Sequence, residues 1–352
     1  MAAVTGLIVL SLNSGSSSLK FGLHRVDGRE VETLLADTVS QGTGHEAMQQ
    51  ISRRLTEAKL PAPAAIGHRI VHGGPALRQH CRINAAVLQQ LEAATPFAPL
   101  HTPVSLSLIR SAKRAFPELP QFACFDTTFH LTLPDVARVL PIDRALQAEG
   151  IQRYGFHGLS CESIVHQLGA SLPPRMVIAH LGNGASVTAV QGGRSIDTSM
   201  GLTPSGGVMM GSRSGDIDPG LLIYLLREKQ LDVTGLEDLI DHRSGLKGVS
   251  GIDSDMRVLH RAAALSSDAQ LAIAMFCMSV KKQIAAMTAV LGGVDLLVFT
   301  GGIGEHDVAV RTRICEGLSW LGIAADGGSA TRVMASREEL QIARHVALLC
   351  QP

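Results

Sequence analysis

The sequence predicts an α/β fold in two domains, and three observations carry that expectation. With 352 residues, 45% of them hydrophobic, the chain can bury more core than a single domain usually holds. Apolar strand-like runs alternate with amphipathic helical patterns from one end to the other. Two stretches of small residues each join a pair of strands, Asn13-Ser14-Gly15-Ser16-Ser17 in the first half and Gly182-Asn183-Gly184-Ala185-Ser186 in the second.

In the first half, Leu7 to Leu12 is an apolar run without a basic leader or a cleavage-type sequence, so it reads as a strand and not as a signal peptide. Ser18 to Val26 returns as a second strand, with Leu19, Phe21 and Leu23 alternating against Lys20, Gly22 and His24. The turn between them could bring backbone donors close to an oxyanion. Lys20 lies on the returning strand, and Asn13 offers a neutral oxygen to a hydrated cation. An ordinary polar turn has the same composition. Residues 44 to 59 place Met48, Ile51 and Leu55 on one helical face, and Pro61 and Pro63 end the helix. Ala65 to Val71 is a strand carrying Arg69, stopped by Gly73-Gly74, a setting that suits close approach of a ligand. His68 and His72 stand four apart, a spacing that pairs zinc ligands on a helix but not on a strand. Asn84 and Thr102 are expected helix N-caps, and Pro103 follows the second at the first helical position. Gln121 to Phe125 is a buried strand with Asp126 at its carboxyl end, where α/β enzymes often place chemistry. Capping of the following turn is the alternative for Asp126.

The character of the chain changes between Pro134 and Gly150, which places the second domain's start there. Tyr154-Gly155-Phe156-His157-Gly158 leads into a helix expected to be capped around Ser160 and to end at Gly169. His157 is either a packed core histidine or a cleft donor to a phosphoryl oxygen. Met176 to Ala179 is a buried strand, and the small-residue turn after it meets a returning strand, Val187 to Val190, that closes at Gly192-Gly193. Joining two strands, that turn differs from a Walker loop or a dinucleotide fingerprint, which opens a helix. Further on stands Arg213 between two serines. Asp218-Pro219 is expected to start a helix through Lys229, and Thr234 with Glu237 to form a capping box. Lys247 to Arg257 reads as loop, Asp268 to Val290 as a long helix, and Leu296 to Thr300 as a buried strand. That strand empties into Gly301-Gly302-Ile303-Gly304-Glu305-His306, a turn on which an adenosine could lie flat; the third glycine of GxGxxG is missing. A last helix is expected from Ser336 through Leu349.

Composition excludes several classes. The chain has 31 basic and 31 acidic residues, so no broad field draws it to nucleic acid or acidic membranes. Its six cysteines are scattered without CxxC spacing, which points to reduced thiols in the cytosol rather than to a disulfide framework. Leu271 to Leu291 is the most apolar long segment, but Lys281 and Lys282 sit in its middle. Each lysine costs about 2.5–3.5 kcal/mol at a bilayer centre, so a buried helix is expected instead.

Eight motifs in one order carry a family resemblance: NSGSSSLK at 13–20, GHRIVHGG at 67–74, APLHTP at 98–103, FDTTFHLTLP at 125–134, YGFHGLS at 154–160, HLGNGASV at 180–187, GSRSGDIDPG at 211–220 and FTGGIGEH at 299–306. In these the chain resembles the acetate kinases, the acetokinase family of the actin, sugar-kinase and heat-shock-chaperone superfamily. The resemblance implies a two-domain actin-like ATPase (ribonuclease H-like) fold with a duplicated βββαβαβα core. The first domain would span residues 1–133 and the second 134–337, with a C-terminal helix, 338–352, returning to the first. It also implies a cytoplasmic homodimer that transfers a phosphoryl group in line from ATP to acetate, giving acetyl phosphate and ADP, with Mg²⁺ or Mn²⁺ as cofactor.

What the resemblance implies for residues follows the motif matches. Asn13 and Glu338, with Glu339 adjacent, would serve the metal. Lys20, His180, Leu181, Gly182, Asn183, Gly184, Asp255, Met256, Arg257, Gly302, Ile303, Gly304, Glu305 and His306 would hold ATP. Arg69 would take the acyl carboxylate, while Val71, Leu100, Phe156 and Pro204 would surround its methyl group. Asp126 would be a catalytic acid or base, or would orient the metal or Arg213; His157 and Arg213 would stabilise the transferring group. The chain departs from the family pattern at Thr102, Leu131 and His306, and it is shorter between residues 20 and 69 and after 213. A nucleotide switch on the same fold would not require Arg69, His157 or Arg213. A propionate or butyrate kinase would differ in pocket size.

Overall fold

A computed structural model describes residues 6–15, 18–40, 43–324 and 330–351. Ser16 and Ser17 of the first hairpin turn, and Pro352 at the end of the expected last helix, lie outside the described residues. In chain order the elements begin β1 Leu7–Ser14, β2 Ser18–Asp27, β3 Glu30–Ser40, α1 Gly44–Glu57, β4 Ala65–Ile70, β5 Cys81–Arg82, α2 Ala85–Ala93, α3 Thr102–Ala115 and β6 Gln121–Phe125. Then come α4 Asp135–Arg138, α5 Arg144–Ala148, α6 Gly158–Leu168, β7 Arg175–Leu181, β8 Ala185–Gln191, β9 Arg194–Thr198, α7 Pro219–Arg227 and α8 Val233–His242. The chain finishes with α9 Gly245–Ser250, α10 Met256–Ala262, α11 Ser267–Leu291, β10 Leu296–Thr300, α12 Gly301–His306, α13 Val308–Cys315, β11 Thr331–Val333 and α14 Glu338–Leu349.

Two compact units result. One comprises Met1–Leu131, Gly158–His166 and Arg337–Pro352; the other comprises Thr132–His157 and Gln167–Ser336. Relative to the 133/134 boundary expected from sequence, Gly158–His166 groups with the first unit.

Each unit holds one sheet, ordered β3-β2-β1-β4-β6-β5 in the first and β11-β10-β7-β8-β9 in the second. Both follow one plan: an antiparallel three-strand meander whose first strand gains two further strands in parallel on its other side. This is the duplicated core, to which β5 adds a short antiparallel strand beside β6.

In the first unit the period of two along β1 sends Leu10 and Leu12 to one face and Val9 to the other. Leu10 and Leu12 pack with Met48 and Ile51 of α1 and Leu108 and Ala112 of α3. Val9 packs with Leu159 of α6 and Ile342, Ala343 and Val346 of α14. Gly67 on β4 is what lets α14 come so near, since a Cβ there would meet Ile342 Cγ2 at 2.4 Å and Val346 Cγ2 at 2.7 Å. In the second unit α11 turns Phe276, Val280, Ile284 and Met287 inward against β7 and β8. Among the described residues α11 is the one helix long and apolar enough to cross a membrane. Its buried stripe is that of a core helix with one outward face.

Several local expectations are corrected. Thr102 is the first residue of α3, not its cap; it is buried, and its Oγ1 has no hydrogen-bond partner among the described residues. Helix α6 starts at Gly158, whose amide donates to Asp126 O at 2.8 Å, rather than at Ser160. Asp232, not Thr234, caps α8, by accepting from Gly235 N. The supposed loop from Lys247 to Arg257 is flanked and partly formed by α9 and α10, each anchored by buried apolar side chains: Leu246 on α9, Met256 and Leu259 on α10. Strand β10 runs directly into α12, with Gly301 at φ 78° making the junction.

Candidate active site

The first unit gathers its polar groups at the carboxyl ends of three parallel strands. Leu12 pairs with His68 and Ile70 with Phe125, so Asn13, Arg69 and Asp126 emerge at one edge of the sheet. Arg69 Nε donates to Asp126 Oδ2 at 2.8 Å, and Arg69 Nη1 donates to Asn13 Oδ1 at 3.2 Å and to Ser14 O at 3.4 Å. Asn13 Nδ2 in turn donates to Glu338 Oε2 at 2.7 Å and to Glu339 Oε1 at 2.8 Å. Those glutamates open α14, which the bare backbone of Gly67 holds close to the sheet.

Charge is unbalanced in this cluster. Asp126 bonds the guanidinium of Arg69 and Glu338 lies within ion-pair range of it, while Glu339, held by Asn13 Nδ2, adds a third carboxyl group to the cluster. Burial works against the charge of Arg69, but Asp126 and Glu338 overcome it and raise its pKa above the ordinary arginine value. Burial pushes the Asp126 carboxyl up, against the pull of Arg69 and with the push of Glu338. Burial and the neighbouring Glu338 also push Glu339 up. Asp126 Oδ1 is buried and closes no hydrogen bond of ordinary geometry among the described residues, the Leu159 amide lying near enough to favour the ionised form. Several oxygens, an excess of negative charge and an orphaned carboxylate oxygen fit a hard divalent cation.

A second cluster in this unit does not suit a metal. Atoms of His80, Glu162 and His345 lie within 4.8 Å of one another. His80 Nδ1, however, accepts from the Phe125 amide at 3.0 Å, which leaves the neutral ring's proton on Nε2.

The second unit builds its site on β7, β8 and the segments behind them. Thr300 on β10 lies opposite His180 on β7, so the Gly182 turn and the start of α12 stand side by side. The His157 ring stacks on His180, with centroids 4.1 Å apart and planes at 14°. His157 itself has φ 57°, an uncommon conformation for a residue with a side chain, and its Nδ1 lies 2.9 Å from Ser186 Oγ. Arg213 is aimed by a bond from Nη1 to Pro204 O at 3.0 Å, and its backbone is tied to Met210 at 3.1 Å. A Cβ placed on Gly184 would lie 3.3 Å from Arg213 Nη1 and 3.4 Å from His157 Nε2. Two side-chain nitrogens thus flank one point above a residue that has no side chain.

The expected nucleotide residues divide by environment. The Gly182 turn is braced by its own amide donating to Gly184 O at 2.9 Å and by Gly211 N donating to Asn183 O at 3.0 Å. A side chain on Gly302 would meet open space. The Glu305 carboxylate accepts from the amides of Gly301 and Ser336, each at 3.0 Å, so it shapes the turn. Asp255 caps α10 through the Arg257 amide, and the Arg257 side chain holds its carboxyl down at about 2. His260 on the same helix bonds Asp307 at 2.8 Å, next to His306. Leu181 is buried, while Met256, Ile303 and Gly304 pack at the starts of α10 and α12.

Of the residues singled out from sequence, Asn13, Arg69, Asp126 and Glu338 come together in the first unit, with Lys20 opposite Asn13 across the β1–β2 pair. His157, His180, Asn183, Gly184 and Arg213 come together in the second. Val71 and Leu100 belong to the first unit, Phe156 and Pro204 to the second. Sequence reasoning counted Ser186 among the small residues of the turn and gave its hydroxyl no role; the structure places it on β8, opposite His180.

Comparison with known proteins gives a consistent picture. Residues 27–345 match the sequence model of the Acetokinase family. The acetate kinase of Rhodopseudomonas palustris is 39% identical over 392 aligned positions, covering 96% of this chain and 97% of the relative. That of Deinococcus radiodurans is 40% identical over 387 positions, covering 97% of both. Among solved structures, Porphyromonas gingivalis acetate kinase matches with a TM-score of 0.85 at 30% identity, over 98% of this chain and 100% of the other. A propionate kinase from Francisella tularensis matches with the same TM-score at 35% identity, over 96% and 98%.

Proposed function

The chain belongs to the acetokinase family, and from that premise we propose that it transfers the γ-phosphoryl group of ATP to acetate, reversibly and in line. The observation that carries the mechanism is the point above Gly184, flanked at about equal distance by Arg213 Nη1 and His157 Nε2. Phosphoryl transfer needs little covalent help; it needs donors fixed where charge spreads over the equatorial oxygens. Arg213 and His157 fill that role. The Gly182–Gly184 turn and the Gly302–His306 segment hold the nucleotide.

Acetate is an anion at neutral pH and attacks without losing a proton, so no general base is needed. Asp126 therefore acts through Arg69: it holds Nε and Nη2 while Asn13 Oδ1 and Ser14 O hold Nη1, so the guanidinium is fixed in place to attract the acyl carboxylate. A divalent cation, Mg²⁺ or Mn²⁺, on the oxygens of Asn13, Glu338 and Glu339 would offset charge on the phosphate oxygens.

Val71 and Leu100, both in the first unit with Arg69, set the acyl length. Val71 follows Arg69 by two residues, so a carboxylate held by the arginine points its alkyl end toward a branched side chain. One methylene in an apolar pocket is worth about 1–3 kcal/mol, which gives a preference for acetate over propionate of roughly 10–200-fold. ADP release measured with formate, acetate, propionate and butyrate tests this. Acetate should have the highest kcat/KM, and Val71→Ala should narrow the gap to propionate. A higher value for propionate would favour the second reading, suggested by the similar propionate kinase, and would leave the kinase class standing.

A homodimer completes the reading. Helix α7, PGLLIYLLR, has none of its nine residues buried, and Leu221, Ile223 and Tyr224 are each about half exposed. So much apolar surface on one helix is unusual for a monomer. Light scattering should give twice the chain mass, and Ile223→Lys with Tyr224→Glu should reduce it. The six free cysteines suit the reducing cytoplasm.

A further inference from the structure

We propose that Ser186 is a positioning residue that sets which nitrogen of His157 carries the proton. This rests on the reading of His157 as a donor to the phosphoryl group. Ser186 is 1% exposed, and His157 Nδ1, 2.9 Å away, is the hydrogen-bond partner of its Oγ. A hydroxyl has one hydrogen and two lone pairs. If it accepted from Nδ1–H, its own hydrogen would be buried without an acceptor, which is the costly arrangement. If it donates to Nδ1, the hydrogen is satisfied, and the neutral ring must carry its proton on Nε2.

Nε2 is the nitrogen that faces the point above Gly184, beside Arg213 Nη1. The serine therefore makes a neutral imidazole a donor at that point, with no need for the ring to be protonated. The ring has little freedom to escape this arrangement: it stacks on His180 at 14°, and its backbone is held at φ 57°. Adjacent strand geometry supplies the rest, because Ser186 lies directly opposite His180 in the β7–β8 register. The serine and the stacking histidine thus reach the same ring from paired positions.

Nitrogen-15 NMR of histidine-labelled enzyme, with the His157 signals assigned by their loss in His157→Ala, reads the tautomer without any turnover. The intact protein should show Nε2 protonated and Nδ1 as the acceptor. Ser186→Ala should convert His157 to a mixture of tautomers and lower kcat by roughly tenfold, part of the ~10²–10³-fold cost of losing a donor at developing charge. KM for ATP and acetate should stay within about twofold, since the effect falls on the transition state. Ser186→Thr, which keeps the hydroxyl, should restore both the tautomer and kcat. An Nδ1-protonated ring in the intact protein, or an unchanged tautomer in Ser186→Ala, would overturn the proposal. If instead His157→Ala retained full kcat, the donor reading of His157 would fail, while the NMR result would still decide the role of Ser186.

Discussion

A methyl group on Gly184 would stand 3.3 Å from Arg213 Nη1 and 3.4 Å from His157 Nε2, closer than most packed carbons tolerate, while leaving the backbone free to adopt its present shape. Gly184→Ala should therefore keep the fold and lower kcat by at least tenfold, because the methyl displaces both donors by a few tenths of an ångström. An alanine variant with unchanged kcat would show that the transferring group lies elsewhere. Arg213→Ala should cost about 10³-fold in kcat, as loss of a phosphoryl-stabilising arginine does. A loss confined to KM would contradict that role. Both residues were legible through the motifs HLGNGASV and GSRSGDIDPG, which carry the family resemblance; a glycine-rich hairpin or an arginine between serines alone would not have marked them. Ser186 and the stacking of His157 on His180 were not, because they depend on register and ring orientation.

Gly67 shows how an element positions a site. Ile342 and Val346 of α14 sit where its side chain would be, and the same helix begins with Glu338 and Glu339 at Asn13. Gly67→Ala should overpack that contact, costing about 1–3 kcal/mol, and should push the glutamates away from Asn13. The signature is an increase in the metal concentration needed for half-maximal activity, read by titrating Mg²⁺ at saturating ATP and acetate. An unchanged metal requirement would separate helix packing from metal binding. At this scale the sequence was readable where a buried face produced periodicity, as in α1 and α11, or where burial on both faces produced a continuous apolar run, as in β6 and β10. It was silent for β3, whose exposed edge carries Glu30, Glu32 and Thr33 among few buried side chains. The Asp27-Gly28 pair, with Gly28 at φ 57°, is the turn signal that could have revealed it. The short strand β9 was missed because its buried side chains, Ser195 and Thr198, are polar, although Gly192 and Gly193, at φ 53° and 83°, form a two-residue hairpin turn before it. Helix starts were misplaced by one or two residues where the true cap was Asp232 or where the helix began directly on a strand end.

For the whole molecule, buried histidines set the response to acid. Burial, helped by Arg344, lowers His24 to about 4; burial, against a hydrogen bond to Gln121, lowers His68 to about 4; burial, with His345, lowers His80 to about 3. In the unfolded chain each takes up its proton near the ordinary value of about 6.5. The stability they contribute is therefore complete above pH 6.5 and is lost as pH falls from 6.5 toward 4 and, for His80, toward 3. These displacements are worth roughly 3 kcal/mol each for His24 and His68 and roughly 5 for His80, so the three together are comparable to the whole 5–15 kcal/mol stability of a typical domain. Asp126, Asp197 and Glu339 act in the opposite direction, because their raised pKa values make protonation easier in the folded state. Variants separate the two effects. Urea unfolding at pH 7.5, 6.5, 5.5 and 5.0 should show stability declining below pH 6.5, and His68→Gln should reduce the slope by up to about 1.4 kcal/mol per pH unit, one proton's worth. Identical slopes in the two proteins would mean that His68 titrates alike folded and unfolded, and that its buried bond to Gln121 leaves no mark on acid stability.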